Sequence, residues 1–199
     1  MIDIFGKQIH IRDWRKEDIE VYQYWNSDKF KWMDFDGPYY PQLSKIDLQK
    51  RIESLEKLII SDNFSGVRKR LIIADSETNK LIGIVSRYWI SEATNWIGIG
   101  IVIYDEIYWS RGIGFEALIL WIQYLFSNLH GIVRLDLRTW SGNLGMITLS
   151  EKLGFKLEAK FRNARIVNGK LFDSLGFGIL REEWEKKAEI ITNSIKNAK

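Results

Sequence analysis

Apolar and polar positions along the first third of the chain predict a strand, two helices and a loop between them. The stretch "IHIRDW" alternates apolar and charged residues as a half-buried strand does. Asp13 ends it and is a suitable cap for a helix over about residues 15 to 26. "NSDKFKWMDFDGPYYP" is rich in aromatic and turn-forming residues and predicts an ordered loop. From Leu43 to Ile60, apolar residues recur at helical spacing and predict a second helix.

The remaining pattern predicts strands that alternate with two further helices. "RLIIADSETNKLIGIVSRYWI" and "TNWIGIGIVIY" contain three β-branched runs, which predict three adjacent antiparallel strands. "FEALILWIQYLFSNLHG" predicts a buried helix that stops at Gly131, and "IVRLDLRTW" alternates like a strand. "NLGMITLSEKLGF" predicts a short helix between Asn143 and Gly154. Two strands over about 155 to 163 and 170 to 180 and a terminal helix complete the pattern.

This order of elements predicts the α/β (α+β) class, with a mixed, mostly antiparallel sheet flanked by helices. A strand, helix and strand around residues 96 to 139 would form its parallel element, with an open crevice at the strand ends. Neither a repeat nor a linker divides the sequence, and 199 residues with 46% hydrophobic content suffice for one core. We therefore expect residues 1–199 to form a single domain.

Charge and cysteine content remove several classes of function. The formal net charge is only +3, and the basic cluster Arg68, Lys69 and Arg70 is typical of a solvated turn, so no nucleic-acid partner is expected. With no cysteine, the chain has neither a disulfide framework nor a thiolate nucleophile. The start "MIDIFGKQIHIRDW" lacks the features of a signal peptide, and no stretch approaches the roughly 18 apolar residues of a membrane span. These features predict a cytoplasmic protein without a membrane partner.

The stretch "EIYWSRGIGFEAL" places two glycines at the mouth of a predicted helix. The first turn of a helix has unpaired N–H groups and a partial positive charge, so Gly112 and Gly114 would let a phosphate approach, with Arg111 as a nearby cation. The alternative is that the glycines only let the strand turn into the helix. A Gly-Lys-Ser/Thr sequence and a third glycine at the dinucleotide spacing are both missing, which argues against those two nucleotide-binding classes.

"YWSRGIGFEA" resembles the acyl-coenzyme A signature of the GNAT superfamily of N-acetyltransferases, in the branch that holds the ribosomal-protein N-acetyltransferases. The signature falls on Trp109, Ser110, Arg111, Gly112, Ile113 and Gly114. "WSGNLGMITLSEKLGF" and "NGKLFDSLGFGILREEW" resemble later parts of the same branch, so that the similarity spans about residues 80 to 184. It implies a GNAT-like acyl-CoA N-acyltransferase fold and acetyl-CoA as co-substrate.

The resemblance also implies roles for particular residues. Backbone N–H groups from Arg111 to Gly114 would hold the coenzyme's diphosphate. The strand Ile101, Val102 and Ile103 would pair with the pantetheine arm like an added strand. Asn143 would contact the arm from the other side, unless it serves only as a helix cap.

Acetyl transfer to an amine also needs a proton donor and a means of deprotonating the amine. Many superfamily members use a Tyr as the acid, and the matching position here is Ser150. Ser150 is therefore the candidate catalytic residue, the alternative being a hydroxyl that only packs beside the coenzyme. Many relatives carry a Glu where this chain has Gly98, so no base can be assigned. The spare carboxylates are Glu92, Asp34, Asp36 and Asp173, each also compatible with a turn or surface role.

The aromatic loop would cover the acceptor end of the crevice. Trp32, Asp34 and Phe35, with Asp36, could surround a cationic amine, or the aromatic rings could simply close the core under the loop. The resulting prediction is an acetyl-CoA-dependent N-acetyltransferase that acts on a protein N-terminus or a small-molecule amine in a direct ternary complex, without a metal. A catalytically silent acyl-CoA-binding module and a nucleic-acid or nucleotide-binding domain are the alternatives. Dimers are common in such enzymes, so a homodimer is also considered.

Overall fold

The computed structural model describes residues 1–188. The strands are β1 (Asp3–Phe5), β2 (Ile9–Arg12), β3 (Arg70–Asp75), β4 (Leu81–Ser91), β5 (Trp96–Ile103), β6 (Arg134–Trp140), β7 (Lys156–Val167) and β8 (Lys170–Leu180). The α-helices are α1 (Asp18–Ser27), α2 (Lys45–Ile60), α3 (Ile113–Asn128), α4 (Leu144–Leu153) and α5 (181–188). Short 3-10 helices occupy Lys31–Asp34 and Glu106–Tyr108.

All the strands belong to one eight-stranded sheet with the order β1-β2-β3-β4-β5-β6-β8-β7. Every neighbouring pair is antiparallel except β5 and β6, which run parallel with Ile97 opposite Leu135 and Ile99 opposite Leu137. α3 connects these two strands, because a parallel pair needs a crossover rather than a tight turn. This topology confirms the predicted mixed, mostly antiparallel sheet and its parallel element.

Each face of the sheet has its own apolar core. Ile97 and Ile99 of β5 point to the face covered by α3, where Trp121 is fully buried. Residues at alternate positions, such as Ile72 and Ile84, point to the opposite face under α1 and α2. Because successive side chains of a strand point to opposite faces, the same strands contribute apolar residues to both cores.

The boundaries differ from the sequence prediction in three places. The strand β1 was not predicted, because three residues that include Asp3 are too few to show an alternating pattern. The loop before α2 contains the 3-10 helix Lys31–Asp34, and β7 extends to Val167, beyond the expected residue 163. The terminal helix is present over 181–188, and the rest of that prediction lies outside the described residues.

Candidate active site

The first turn of α3 presents unpaired backbone N–H groups at an exposed loop. Gly112 precedes the helix with a φ of +85°, a left-handed conformation that disfavours residues with a Cβ. The first hydrogen bond of the helix runs from the Glu116 N–H to the Gly112 carbonyl, at 3.0 Å. The N–H groups of Ile113, Gly114 and Phe115 therefore precede the helical hydrogen-bond pattern. Arg111 and Ser110 are exposed at the same end, whereas the Ile113 side chain is buried in the core.

Gly114 lets this turn lie close to two other elements. A Cβ at Gly114 would be 3.3 Å from Cδ2 of Leu149 on α4 and 3.9 Å from Cδ1 of Ile101 on β5. A larger side chain would therefore push the first turn of α3 away from the strand end. The glycine keeps the unpaired N–H groups beside β5.

Glu116 in the first turn carries a negative charge that would repel an anion. Its carboxylate is buried and directed away from the loop, where it accepts hydrogen bonds from the backbone N–H groups of Lys7 and Gln8 in the turn between β1 and β2. The Gln8 bond measures 3.0 Å. This arrangement leaves the exposed Arg111 as the charged side chain of the loop itself.

The strands β5 and β6 separate next to this helix terminus. Their pairing ends with Ile99 opposite Leu137, although β5 continues to Ile103 and β6 to Trp140. Within residues 1–188, the segment 100–103 therefore has no strand partner on its β6 side. Backbone groups on this edge are open to an extended ligand, while the side chains of Ile101 and Val102 pack on opposite faces of the sheet. The Trp109 indole closes the end of the strand, since its Nε1 donates to the Ile103 carbonyl at 3.0 Å.

The other side of the gap is formed by α4. Asn143 caps this helix: its Oδ1 accepts from the Met146 N–H at 3.0 Å. Further along, Ser150 is fully buried and its hydroxyl donates to the Met146 carbonyl at 2.8 Å. Asn143 therefore has the capping role that the sequence left open, and the proton of Ser150 already has an acceptor within the helix.

The aromatic loop between α1 and α2 is fastened across the same gap through one carbonyl group. The Phe35 carbonyl accepts from Nε1 of Trp140 at 3.0 Å and from Nδ2 of Asn143 at 3.1 Å. The Phe35 ring meets the Trp109 ring edge to face at 5.5 Å. The loop is thus attached to Trp140 at the end of β6 and to Trp109 beyond the end of β5.

Trp32 and Asp34, the other two residues predicted to bind the acceptor, do not contact the strand gap as Phe35 does. Trp32 packs against Tyr104 at 5.3 Å and donates from Nε1 to the Trp25 carbonyl at 3.1 Å, so it helps to close the second core. Asp34 is exposed and lies 3.7 Å from Lys29. Trp32 thus lies where the core-closing alternative places the aromatic rings, and Asp34 has a surface position.

Next to Phe35, a cavity of about 440 Å³ lies between the loop and the tip of the β7–β8 hairpin. Asp28, Asp34 and Asp36 line it. The Asp36 side chain reaches solvent, yet the surrounding protein displaces enough water from the carboxylate to raise its pKa. By contrast, hydrogen bonds from the Asn163 N–H and from Lys160 lower the pKa of Asp173.

Several residues on the face under the loop were not selected from the sequence. Tyr88 of β4 lies against Gly98 of β5, where a Cβ would come within 2.4 Å of the ring. Tyr39 of the loop meets Trp140 edge to face, with ring centroids 6.5 Å apart. Arg138 of β6 is exposed on this face. The alternation of "RLDLRTW" predicts which face of the strand carries Arg138. It does not predict that the aromatic loop lies on that side of the sheet.

The sheet that opens between β5 and β6 and the glycine-rich entry to α3 define an acyltransferase fold. A family model described as an acetyltransferase (GNAT) domain matches residues 8–156, and the chain belongs to this family. The resemblance seen in the sequence and the predicted fold are thereby confirmed, and the protein is an enzyme of the acyltransferase class. No described helix has the length and apolar character needed to cross a membrane.

Related sequences and solved structures are similar to this protein over most of its length. An uncharacterized, SPbeta prophage-derived N-acetyltransferase of Bacillus subtilis (strain 168), YokL, is 25% identical over 90% of this chain and 94% of its own length. A GNAT acetyltransferase from Bacillus anthracis is similar in structure with a TM-score of 0.71 and 19% identity, covering 92% of this chain and 100% of that one. Spermidine N-acetyltransferase from Vibrio cholerae, solved with CoA and spermine, gives a TM-score of 0.70 at 20% identity, covering 89% and 98%.

Proposed function

We propose that the protein transfers the acetyl group of acetyl-CoA to a primary amine, by direct attack of the amine in a ternary complex. The observation that carries this proposal is the unpaired first turn of α3, with Gly112 at a φ of +85°, beside the unpaired edge 100–103 of β5. The first feature suits a diphosphate and the second suits an extended amide-containing arm. Acetyl-CoA carries both groups and supplies the acetyl group as a thioester.

The residues present fit this ligand in three respects. Gly112 leaves the N–H groups of the first turn accessible, and the exposed Arg111 adds a positive charge. Glu116, the nearby negative charge, is held away by the turn between β1 and β2. Backbone groups of Ile101 and the N–H of Ile103 would pair with the arm, since the Ile103 carbonyl is bonded to Trp109, and Asn143 would contact the arm from α4.

We further propose that Asp36 attracts the ammonium group of the acceptor and helps to deprotonate it. The carboxylate lines the cavity beside Phe35, which is fastened to both sides of the strand gap. A raised pKa makes Asp36 a stronger base than an ordinary aspartate. Trp32 and Asp34 contribute from the same loop, Trp32 by packing and Asp34 by its charge.

Coenzyme A release in the presence of a panel of amines tests the proposal. Turnover with at least one amine, together with thermal stabilisation by coenzyme A, is the expected result. At a ligand concentration about 100 times Kd, linkage predicts a gain of about 2.7 kcal/mol in stability. Stabilisation without turnover would identify a silent coenzyme-binding module, whereas no stabilisation at all would exclude the coenzyme site.

Three finer expectations stay predictions. A proton-donating role for Ser150 requires its hydroxyl to leave the Met146 carbonyl during turnover. A homodimer is tested by light scattering at several protein concentrations. A cytoplasmic location is tested by fractionation of cells that express the protein.

A further inference from the structure

The sheet face that carries the acceptor loop is only half covered by helices. α1 and α2 pack over β3, β4 and Val102 of β5. Beyond β5, the same face of β6 carries Arg138, which is exposed, and Trp140, which donates to the Phe35 carbonyl of the loop. Glycines occupy four positions around Arg138 on the neighbouring strands: Gly98, Gly100, Gly176 and Gly178. These four positions form a floor without side chains of its own, although Tyr88 lies over Gly98 and the Arg134 and Glu158 side chains lie over Gly178.

Arg138 rises from this floor without an acidic partner. It is exposed, and it takes part in no ion pair among residues 1–188. The acidic residue two positions away, Asp136, is already engaged by Arg134 at 2.8 Å. Arg138 therefore retains a full charge and free hydrogen-bond donors at the point where β5 and β6 separate.

A second arginine approaches the same region from β7. The Arg165 guanidinium lies over the Tyr39 ring at 4.4 Å and the Tyr40 ring at 5.8 Å. Its Nε is buried and has no hydrogen-bond partner, and no carboxylate of the described residues lies within ion-pair distance. Arg165 is thus held against the loop by the tyrosine rings, and its positive charge lacks a carboxylate partner within the described part of the chain.

Tyrosine side chains link the two arginines. Tyr88, over Gly98, lies near Arg138, Asp136 and Tyr40, although burial is what chiefly raises its pKa. Tyr40 in turn lies beside Arg165. Cationic groups thus border the floor at β6 and β7, while Asp36 lies on the loop side.

We propose that Arg138 binds an anionic group, a carboxylate or a phosphate, on the acceptor, and that Arg165 adds positive potential from β7. This inference rests on the proposed function, because it specifies the amine that the site accepts. Such an acceptor would place its ammonium group near Asp36 and its anion at Arg138, which lies outside the lining of the Asp36 cavity. A polycationic amine such as spermidine, the substrate named for the Vibrio cholerae enzyme, would meet repulsion from Arg138.

The test compares amines that differ by one anionic group. β-Alanine is paired with propylamine for the carboxylate, and O-phosphoethanolamine with ethanolamine for the phosphate, with spermidine as the polycation. We expect one anionic member to exceed its neutral partner in kcat/KM by at least about tenfold, because hydrogen bonds to charged groups are strong. A difference within the first pair would identify the anion as a carboxylate, and a difference within the second pair would identify it as a phosphate. A preference for spermidine or for the neutral amines would overturn the inference and leave the acetyltransferase proposal intact.

Variants connect the preference to Arg138. Arg138→Gln should raise KM for the anionic amine about tenfold while kcat and the kinetics of its neutral partner stay unchanged. Arg162→Gln is the matched control, because Arg162 is also an exposed arginine but lies on β7, where its charge helps to lower the pKa of Asp173. Equal losses for both members of a pair would show that Arg138 has only a structural role.

A binding measurement covers the case in which no amine of the panel reacts. The anionic amines should then raise the melting temperature of the protein saturated with coenzyme A, and Arg138→Gln should abolish the increase. No increase with either anionic amine would overturn the inference. The stabilisation by coenzyme A itself, measured in the same experiment, reports separately on the proposed function.

Discussion

In the proposed complex, the two sides of the strand gap use different parts of the chain to bind their ligands. On the coenzyme side, the groups available are main-chain N–H groups of α3 and the edge of β5, shaped by Gly112 and Gly114. On the acceptor side, the groups are side chains, among them Asp36 and Arg138, which come from a loop and a strand far apart in sequence. Every residue except proline has the same main-chain N–H and C=O groups, so the residue type does not show which of these groups bind a ligand. A glycine before a helix is the sequence feature that indicates accessible N–H groups here.

This difference explains why one ligand could be named from the sequence and the other only by class. A diphosphate requires a turn that leaves backbone donors accessible, and that requirement is local. Selectivity for an amine depends on which side chains a loop brings together, and loops vary without affecting the sheet. The comparison predicts that changes on the coenzyme side act on all acceptors alike, whereas changes on the acceptor side depend on the amine.

The largest effect is expected from Gly112→Val. A branched side chain at a φ of +85° is strained, and relief of that strain would move the backbone that presents the donors of the first turn. We expect affinity for coenzyme A to fall by at least about a hundredfold, measured by calorimetry. Gly66→Val is the matched control, since Gly66 has a φ of +64° and no atom within 4 Å of its Cβ position. A normal affinity in Gly112→Val would refute the backbone site.

The next effect is expected from Asp36→Asn, on the acceptor side. Removal of the charge should lower kcat/KM for amines by about tenfold, since charge-assisted contacts are worth about 1.5–3 kcal/mol, while the affinity for coenzyme A stays unchanged. Asp28→Asn, in the same cavity, is the control and should change kcat/KM less. Equal effects of the two variants would argue against a specific role for Asp36.

The same variant has a pH-dependent effect on stability. Because the folded protein raises the pKa of Asp36, ionisation of this group favours the unfolded state, and wild-type stability falls as the pH rises through the folded pKa. Asp36→Asn should therefore melt at a higher temperature than wild type at neutral pH. The difference should vanish below the ordinary pKa of 3.8. A melting temperature below that of wild type at neutral pH would contradict this assignment.

A smaller effect is expected from Asn143→Ala, which touches both sides of the gap. Asn143 caps α4 and holds the Phe35 carbonyl, so its loss should cost about 1 kcal/mol and raise KM for the amine. Ser44→Ala removes the corresponding cap of α2, where Oγ accepts from the Asp47 N–H at 3.1 Å. The control should lose similar stability without a change in KM. A KM change in both variants would mean that stability alone determines it.

The sequence predicted the elements with strong periodicity, and it also identified the local glycine motif at the start of α3. Helix α3 and the parallel pair of β5 and β6 followed from apolar spacing, and Gly112 followed from its place before the helix. The position of Arg165 over Tyr39 could not be predicted, because it depends on how a loop crosses to an edge strand. Trp32 was considered both for the acceptor and for closing the core; its packing on Tyr104 places it in the second core, and aromatic content alone does not distinguish a binding loop from such a core.

The smallest effect is expected from Ser150→Ala. The Ser150 hydroxyl is fully buried and donates to the Met146 carbonyl, a contact that contributes little to a helix. We therefore expect kcat and the affinity for coenzyme A to stay within about threefold of wild type. Ser54→Ala is the matched control, since Ser54 makes the same contact with the Lys50 carbonyl at 2.8 Å on the exposed side of α2. A large loss of kcat in Ser150→Ala alone, with unchanged coenzyme affinity, would show that the hydroxyl leaves Met146 and donates a proton during turnover. Chemistry on the coenzyme side would then depend on a side chain as well as on the backbone.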